Sequence, residues 1–302
     1  MSETLEDQLR QATEHALGAP GLVCIVGPTA SGKTELAIRI AEALDGVVVS
    51  ADSVQIYRGF DIGSGKPTTA ELARAPHRLI GSHDPLAPID AAEWARLADE
   101  AIADVRASGK TPIVCGGTFF WVRALVLGLV EAPAADEAIR ARHRDIVETE
   151  GRSALHDALR AVDPGSADRL HPNDVVRVSR ALEVHELSGR TMSAWHADHG
   201  FRARRHDATM IALRHDPAAL TERIERRVVG WLDGGWLDEV AGLIAAGYRD
   251  ARAMGSVGYA EVRDHVEGRL SREELVAAIT RSTRIFARRQ RTWLNSAPVS
   301  WF

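Results

Sequence analysis

Lysine is almost missing from this chain. Of its 37 basic residues only Lys33, Lys66 and Lys110 are lysines; the other 34 are arginines. Cysteine is reduced to Cys24 and Cys115, both inside apolar, strand-like runs. Two buried thiols fit a reducing compartment, and no Cys/His cluster suggests zinc. No apolar run is long enough to span a membrane, and Met1 to Pro20 is polar and mixed in charge, unlike a signal peptide. These absences predict a cytoplasmic protein that works away from membranes. A net charge of −5 gives no bulk positive charge for nucleic acid. No repeat or low-complexity tract breaks the pattern. What remains, 302 residues of which 45% are apolar, can bury a sizeable core as one large domain or two smaller ones.

The clearest positive feature is "LVCIVGPTASGKTELAIRIAEAL", Leu22 to Leu44. Leu22 to Val26 suits a buried strand. Gly27, Pro28, Thr29, Ala30, Ser31, Gly32, Lys33 and Thr34 fit G-x-x-x-x-G-K-[ST], and from Glu35 the apolar spacing turns helical. In that context glycines let backbone N–H groups turn inward around an anion, and the helix N-terminus adds positive potential. Lys33 would reach the outer phosphate and the Thr34 hydroxyl would face Mg²⁺. The motif marks a di- or triphosphate site. It does not name the reaction.

Further apolar strands read at Val47 to Ser50, Pro112 to Cys115 and Thr209 to Leu213, with a short last one in "PVSWF", and a helix lies over Ala91 to Ser108. Apolar strands alternating with helices predict an α/β fold: a P-loop NTPase-like parallel sheet flanked by helices, with ligands at the strand C-terminal ends. Between Asp136 and Gly200 the pattern changes to short helices punctuated by proline and glycine, over Asp136 to Thr149, Ser153 to Val162 and Asn173 to Leu187. The division expected is a catalytic core over 1–135 and 201–302, with an all-helical insertion domain over 136–200. Pro217 to Ala246 and Glu273 to Leu294 read as longer helices.

The strand ends carry the remaining chemistry. A phosphate-loop ATPase ends a strand in an acid that holds Mg²⁺ through water; here the third strand ends in "CGGT" without one. Asp52 ends the second strand instead, and fits a metal partner, a general base or the N-cap of a helix equally well. After Gly116-Gly117, the Thr118 hydroxyl can bond a ligand, and Phe119, Phe120 and Trp121 either line an apolar channel or pack in the core. Arginines crowd "FRARRH" (Phe201 to His206) and "RSTRIFARRQR" (Arg281 to Arg291). They form a phosphate-backbone footprint or solvated helix faces. Arg281, Arg284, Arg288 and Arg291 share one helical face, with an apolar stripe of Leu275, Ile279, Phe286 and Trp293 to dock the helix.

Taken together, "GPTASGKT", "DSVQIYRGFDIGSGKPT", "APHRLI", "GGTFFWVRAL", "HPNDVVRVSRALEV", "RIERR", "VGYAEV" and "TRIFARRQRTWL" stand in the order and at the spacing of a known family. The chain resembles the bacterial tRNA dimethylallyltransferases (tRNA isopentenyltransferases) from about Gly21 to Trp301. The resemblance implies transfer of a dimethylallyl group from dimethylallyl diphosphate to N6 of the adenosine 3′ of a tRNA anticodon, so the loop would hold the diphosphate leaving group.

By position, the resemblance implies that Thr29 to Thr34 grip the diphosphate, with Mg²⁺ at Thr34. Asp52 would be the general base, Thr118 would support the reacting centre and Arg227 would reach the diphosphate. The tRNA anticodon stem-loop would meet Asp52, Ser53, Val54 and Gln55; Arg140, Val176, Arg177, Val178, Ser179 and Arg180 in the insertion; Ser256, Val257, Gly258 and Tyr259; and Arg281, Arg284 and Arg288. The enzyme is expected to act as a monomer. This chain departs from the family's commoner residues at Trp121, Val176, Gly255-Ser256 and Ala260-Glu261. Alternatives are transfer to free AMP or ADP, as in cytokinin-forming enzymes, a small-molecule or nucleoside kinase, and a non-catalytic RNA-binding protein. The helical insertion and the arginine-rich helix favour tRNA.

Overall fold

The computed structural model describes residues 4–200, 204–295 and 297–302. In chain order the elements begin with α1 (Leu5–Leu17), β1 (Leu22–Val26), α2 (Lys33–Leu44), β2 (Gly46–Ser50), α3 (Thr69–Arg74), β3 (His77–Arg78), α4 (Ala91–Ala107), β4 (Thr111–Gly116) and α5 (Phe119–Leu127). Five helices follow: α6 (Glu137–Thr149), α7 (Arg152–Val162), α8 (Pro164–Ala167), α9 (Val175–Ser188) and α10 (Met192–His199). The chain then forms β5 (Ala208–Ala212), α11 (Pro217–Asp233), α12 (Trp236–Ala245), a 3₁₀ turn at Arg252–Gly255, α13 (Tyr259–Val266), α14 (Arg272–Leu294) and β6 (Val299–Trp301). They fall into two compact units, residues 1–126 with 205–302, and residues 127–204.

The first unit is built on a six-stranded sheet in the order β3-β2-β4-β1-β5-β6, every pairing parallel. β1 and β2 are apolar and buried along their whole length, as strands covered on both faces must be. Strand β1 sits between β4 and β5, so the phosphate loop leaves the sheet near its centre. Helix α2 packs Leu36, Ala37, Ile38, Ile40 and Ala41 into the core, and α1 covers it with Leu9, Ala12 and Ala16. Asp90 caps α4 by accepting the Ala92 and Glu93 amides. The Ser271 and Glu274 capping box starts α14.

Two sequence expectations change here, and one helix goes unread in the sequence. Pro217 to Ala246 is two helices, because the chain breaks at Gly234-Gly235 and Gly235 takes a φ of +95°. Met1 to Pro20 contains the helix α1, whose buried positions are too few for a clear stripe. On α14 the buried face is Leu275, Ile279, Thr283, Ala287, Gln290 and Leu294, while Phe286 and Trp293 are each 40% exposed. The seven-residue spacing used for the stripe drifts against a 3.6-residue turn, and the true seam contains polar residues.

The second unit, residues 127–204, contains only helices among its described residues. Leu155, Leu159, Ala167, Val178, Ala181 and Leu182 form its core. The fully buried Glu183 binds Arg140 at 2.9 Å and Arg180 at 2.5 Å. Burial alone would raise its pKa; the bonds from Arg180 and Arg140 outweigh that and hold its carboxyl below the usual range.

Candidate active site

β1, β2 and β4 end side by side, and their loops build one cleft of about 340 Å³. The phosphate loop supplies one wall. Ala30 is held at a φ of +63° and Gly32 caps α2 at +86°, a conformation a non-glycine residue keeps only where its surroundings enforce it. Thr29, Lys33 and Thr34 line the cleft, while Gly27, Pro28, Ala30, Ser31 and Gly32 complete the loop. Lys33 Nζ donates to Pro28 O at 2.7 Å. Burial pushes its pKa down to about 8, with the charge of Arg227 adding to the fall and that of Asp52 opposing it. The Ser31 hydroxyl is buried and has no hydrogen-bond partner among the described residues.

The opposite wall follows from β2 and β4. A Cβ added to Gly116 would lie 2.1 Å from Ala51 O, so only glycine lets β4 end this close to β2. Thr118 N then donates to Ala51 O at 3.1 Å. The Thr118 hydroxyl accepts Ser53 N at 3.0 Å and donates to Ser53 Oγ at 3.2 Å. Asp52 follows β2 in a turn rather than a helix: Oδ1 accepts Val54 N at 2.9 Å and Gln55 N at 3.2 Å. Its Oδ2 makes no hydrogen bond among the described residues. The helix N-cap reading of Asp52 is thus corrected to a turn cap that uses one of its two oxygens.

Arg227, from α11, closes the cleft. It donates to the Thr29 hydroxyl and stacks its guanidinium 4.5 Å from the centre of the Trp231 ring. Burial pushes its pKa down to about 10, and the Asp52 charge opposes that shift. The cleft therefore gathers Thr29, Lys33, Thr34, Asp52 to Gln55, Thr118, Arg227 and Ser256 to Tyr259.

Some expected contact residues are occupied internally. Gln55 donates to Ser64 O and Gly65 O, and its Oε1 accepts Ser50 Oγ. Tyr259 is fully buried and donates to Glu239 Oε1 at 2.7 Å, so its part is to brace the wall. The Ser256 hydroxyl donates to Ala253 O. Val178 is fully buried, and Ser179 bonds His143 at 2.9 Å inside the helical unit, so neither side chain offers a surface. Arg140 and Arg180 are tied to Glu183, Val176 is exposed and Arg177 pairs with Asp174. Trp121 is core, stacked on Trp94 at 5.2 Å, and Phe119 is buried; Phe120 is half exposed.

Arg281, Arg284, Arg288 and Arg291 lie outside the cleft. They line a groove of about 580 Å³ against Pro217, Leu220 and Ile224 of α11, and none forms an ion pair among the described residues. Of the basic stretch Phe201 to His206, positions 201–203 fall outside the described residues; Arg205 and His206 both bind Asp99.

Three supports escaped the sequence reading. His215 Nε2 donates to Ser31 O at 2.7 Å, and burial lowers its pKa. Glu239 Oε2 accepts Asp61 N and Ile62 N. Gln290 bonds both Thr29 and Gly117. Only Gln290 left a signal: an uncharged polar residue between Arg289 and Arg291, in step with Ile279, Thr283 and Ala287.

Thr34 offers the cleft a hydroxyl oxygen suited to a hard cation, and the described residues contain no cluster of three metal-ligating side chains. Such a donor suits a divalent cation that keeps several waters and takes further oxygens from a substrate phosphate. No helix among the described residues is long and apolar enough to cross a membrane.

Comparison with known proteins gives the family. A family model described as IPP transferase matches residues 55–297. The chain is 64% identical over 284 residues to the tRNA dimethylallyltransferase of Sorangium cellulosum, covering 94% of this chain and 90% of that one. It is 45% identical to tRNA dimethylallyltransferase 1 of Pelobacter propionicus, covering 93% and 92%. The crystal structure of the tRNA isopentenylpyrophosphate transferase of Bacillus halodurans matches with a TM-score of 0.69 at 36% identity, covering 94% of this chain and 90% of that one. A eukaryotic dimethylallyltransferase captured acting on tRNA matches with a TM-score of 0.75 at 25% identity, covering 90% and 69%. This chain belongs to the IPP transferase family.

Proposed function

We propose that this chain transfers a dimethylallyl group from dimethylallyl diphosphate to N6 of the adenosine on the 3′ side of a tRNA anticodon, releasing diphosphate. The observation that carries the reading is the shared cleft: phosphate loop, Arg227, Asp52 and Thr118 all line it. A leaving diphosphate and a proton acceptor are thus within reach of one substrate pair.

Adenine N6 is a weak nucleophile because its lone pair is delocalised into the ring. N6 attacks C1 of the allyl group, the C1–O bond breaks, and the electron pair leaves with the diphosphate. Lys33 and Arg227 neutralise that charge, the amides at the start of α2 point at it, and the orphaned Ser31 hydroxyl gains an acceptor. Thr34 would hold Mg²⁺, which would supply further charge neutralisation. Asp52 takes the N6 proton on Oδ2, while its Oδ1 keeps the turn. Thr118 holds Ser53 and so fixes that turn.

The target base has to leave its stack to reach the cleft, which suits a single-stranded anticodon loop. The unpaired arginines of α14 bind its phosphate backbone, as does the helical unit through the exposed part of α9 around Val176 and Arg177. The same reading places the protein in the cytoplasm with its tRNA substrate, acting as a monomer. The test is incubation of the purified protein with labelled dimethylallyl diphosphate and bulk unmodified tRNA. Label in the RNA supports the reading, and RNA without label rejects it.

A further inference from the structure

The two walls of the cleft end different strands, and the side chain of Gln290 bonds to both. Gln290 lies on the inward face of α14, 8% exposed. Its Oε1 accepts Thr29 N at 2.9 Å, and its Nε2 donates to Gly117 O at 2.8 Å. Thr29 belongs to the loop after β1. Gly117 belongs to the turn after β4, directly before Thr118, which holds Ser53 beside Asp52. A Cβ on Gly117 would lie 2.5 Å from Gln290 Nε2, so the turn leaves room for that amide.

We propose that Gln290 is a positioning residue that sets the separation between the diphosphate in the loop and the proton acceptor Asp52. The proposal rests on the prenyl-transfer reading. Each wall has its own anchors. The loop is held by the Lys33 bond to Pro28 and the His215 bond to Ser31, and the turn by the Thr118 amide on Ala51. Gln290 spans them with two hydrogen bonds, beside the weaker one from the Cys115 thiol of β4 to Lys33 O at 3.6 Å. It also occupies the Thr29 amide, so the donor is left with the amides that follow, at the start of α2. Loss of Gln290 therefore spares donor binding and disturbs the register of the reacting groups. A misplacement of about 1 Å can cost about 100-fold in rate.

Gln290→Met keeps the length of the side chain and removes both hydrogen bonds. Gln290→Glu keeps the acceptor and removes the donor, and serves as the second variant if the first does not fold. Gly117→Ala displaces the amide from the other side. Each is compared with wild type in single-turnover transfer at saturating dimethylallyl diphosphate and unmodified tRNA, with equilibrium binding of each substrate measured separately. The expected result is a rate loss of about 10- to 100-fold for Gln290→Met and for Gly117→Ala, with both dissociation constants within about threefold of wild type. The double variant loses no more than either single one, because both changes break the same link. A rate within about threefold of wild type, a loss confined to donor affinity, or fully additive losses overturns the positioning role. A wild-type protein that transfers no label overturns the prenyl-transfer reading, and this proposal with it.

Discussion

Oδ1 of Asp52 accepts two amides of its own turn, and Oδ2 makes no hydrogen bond among the described residues. Asp52→Asn preserves the first arrangement and removes the charge needed for the second. Thermal melting and tRNA binding should therefore hold, while single-turnover transfer falls by about 10²- to 10⁴-fold, the usual contribution of a positioned general base. A rate within a few-fold of wild type would leave Asp52 with its turn-capping role alone. Lys33 responds to pH in two ways. Burial sets its pKa at about 8, below the ordinary 10.5. The native state therefore sheds this proton where the unfolded chain still holds it, and stability gains as pH rises from about 8 toward 10.5. Donor affinity moves the other way and weakens above pH 8 as the ammonium is lost. Lys33→Met should flatten the Lys33 contribution to the pH dependence of melting and abolish transfer at every pH. Thermal melts and donor binding from pH 7 to about 10 check both.

At the scale of the element, α14 presents outward arginines that form no ion pair among the described residues, and Gln290 inward. Replacing Arg281, Arg284, Arg288 and Arg291 should weaken tRNA binding across sequences and flatten its salt dependence by as many phosphate contacts as are lost. Binding isotherms at several salt concentrations measure this; a slope unchanged by the substitutions would make the arginines a solvated face. The elements differ in how plainly the sequence announces them. Strands β1, β2 and β4 and the phosphate loop are legible because each is a continuous apolar run closed by glycine or a polar residue. The docking face of α14 is not, because it is completed by Thr283 and Gln290 rather than by Phe286 and Trp293. Helix α1 hides behind a polar sequence that buries only Leu9, Ala12 and Ala16 among its central positions. At the site, motif positions identify Lys33, Asp52, Thr118 and Arg227 as lining residues of one cleft. They say nothing of His215, Glu239 or Gln290, whose partners lie far away in sequence. The inward-facing Val178 and Tyr259 show the converse: a residue inside a motif can serve the packing that shapes a surface.

For the whole molecule, a phosphate loop of the kind usually associated with nucleotide hydrolysis is proposed to hold the leaving group of an alkyl transfer. A Mg²⁺ requirement alone cannot separate the two, because both chemistries neutralise phosphate charge. The products can. The purified protein is incubated with an unmodified anticodon stem-loop and dimethylallyl diphosphate, with and without ATP, and diphosphate release, ATP turnover and the mass of the RNA are followed together. The expected result is that diphosphate and dimethylallylated RNA accumulate in equal amounts, at the same rate in both mixtures, with the added mass on the adenosine 3′ of the anticodon. Consumption of ATP coupled to a phosphorylated product, or RNA that gains no mass while ATP is consumed, would contradict it.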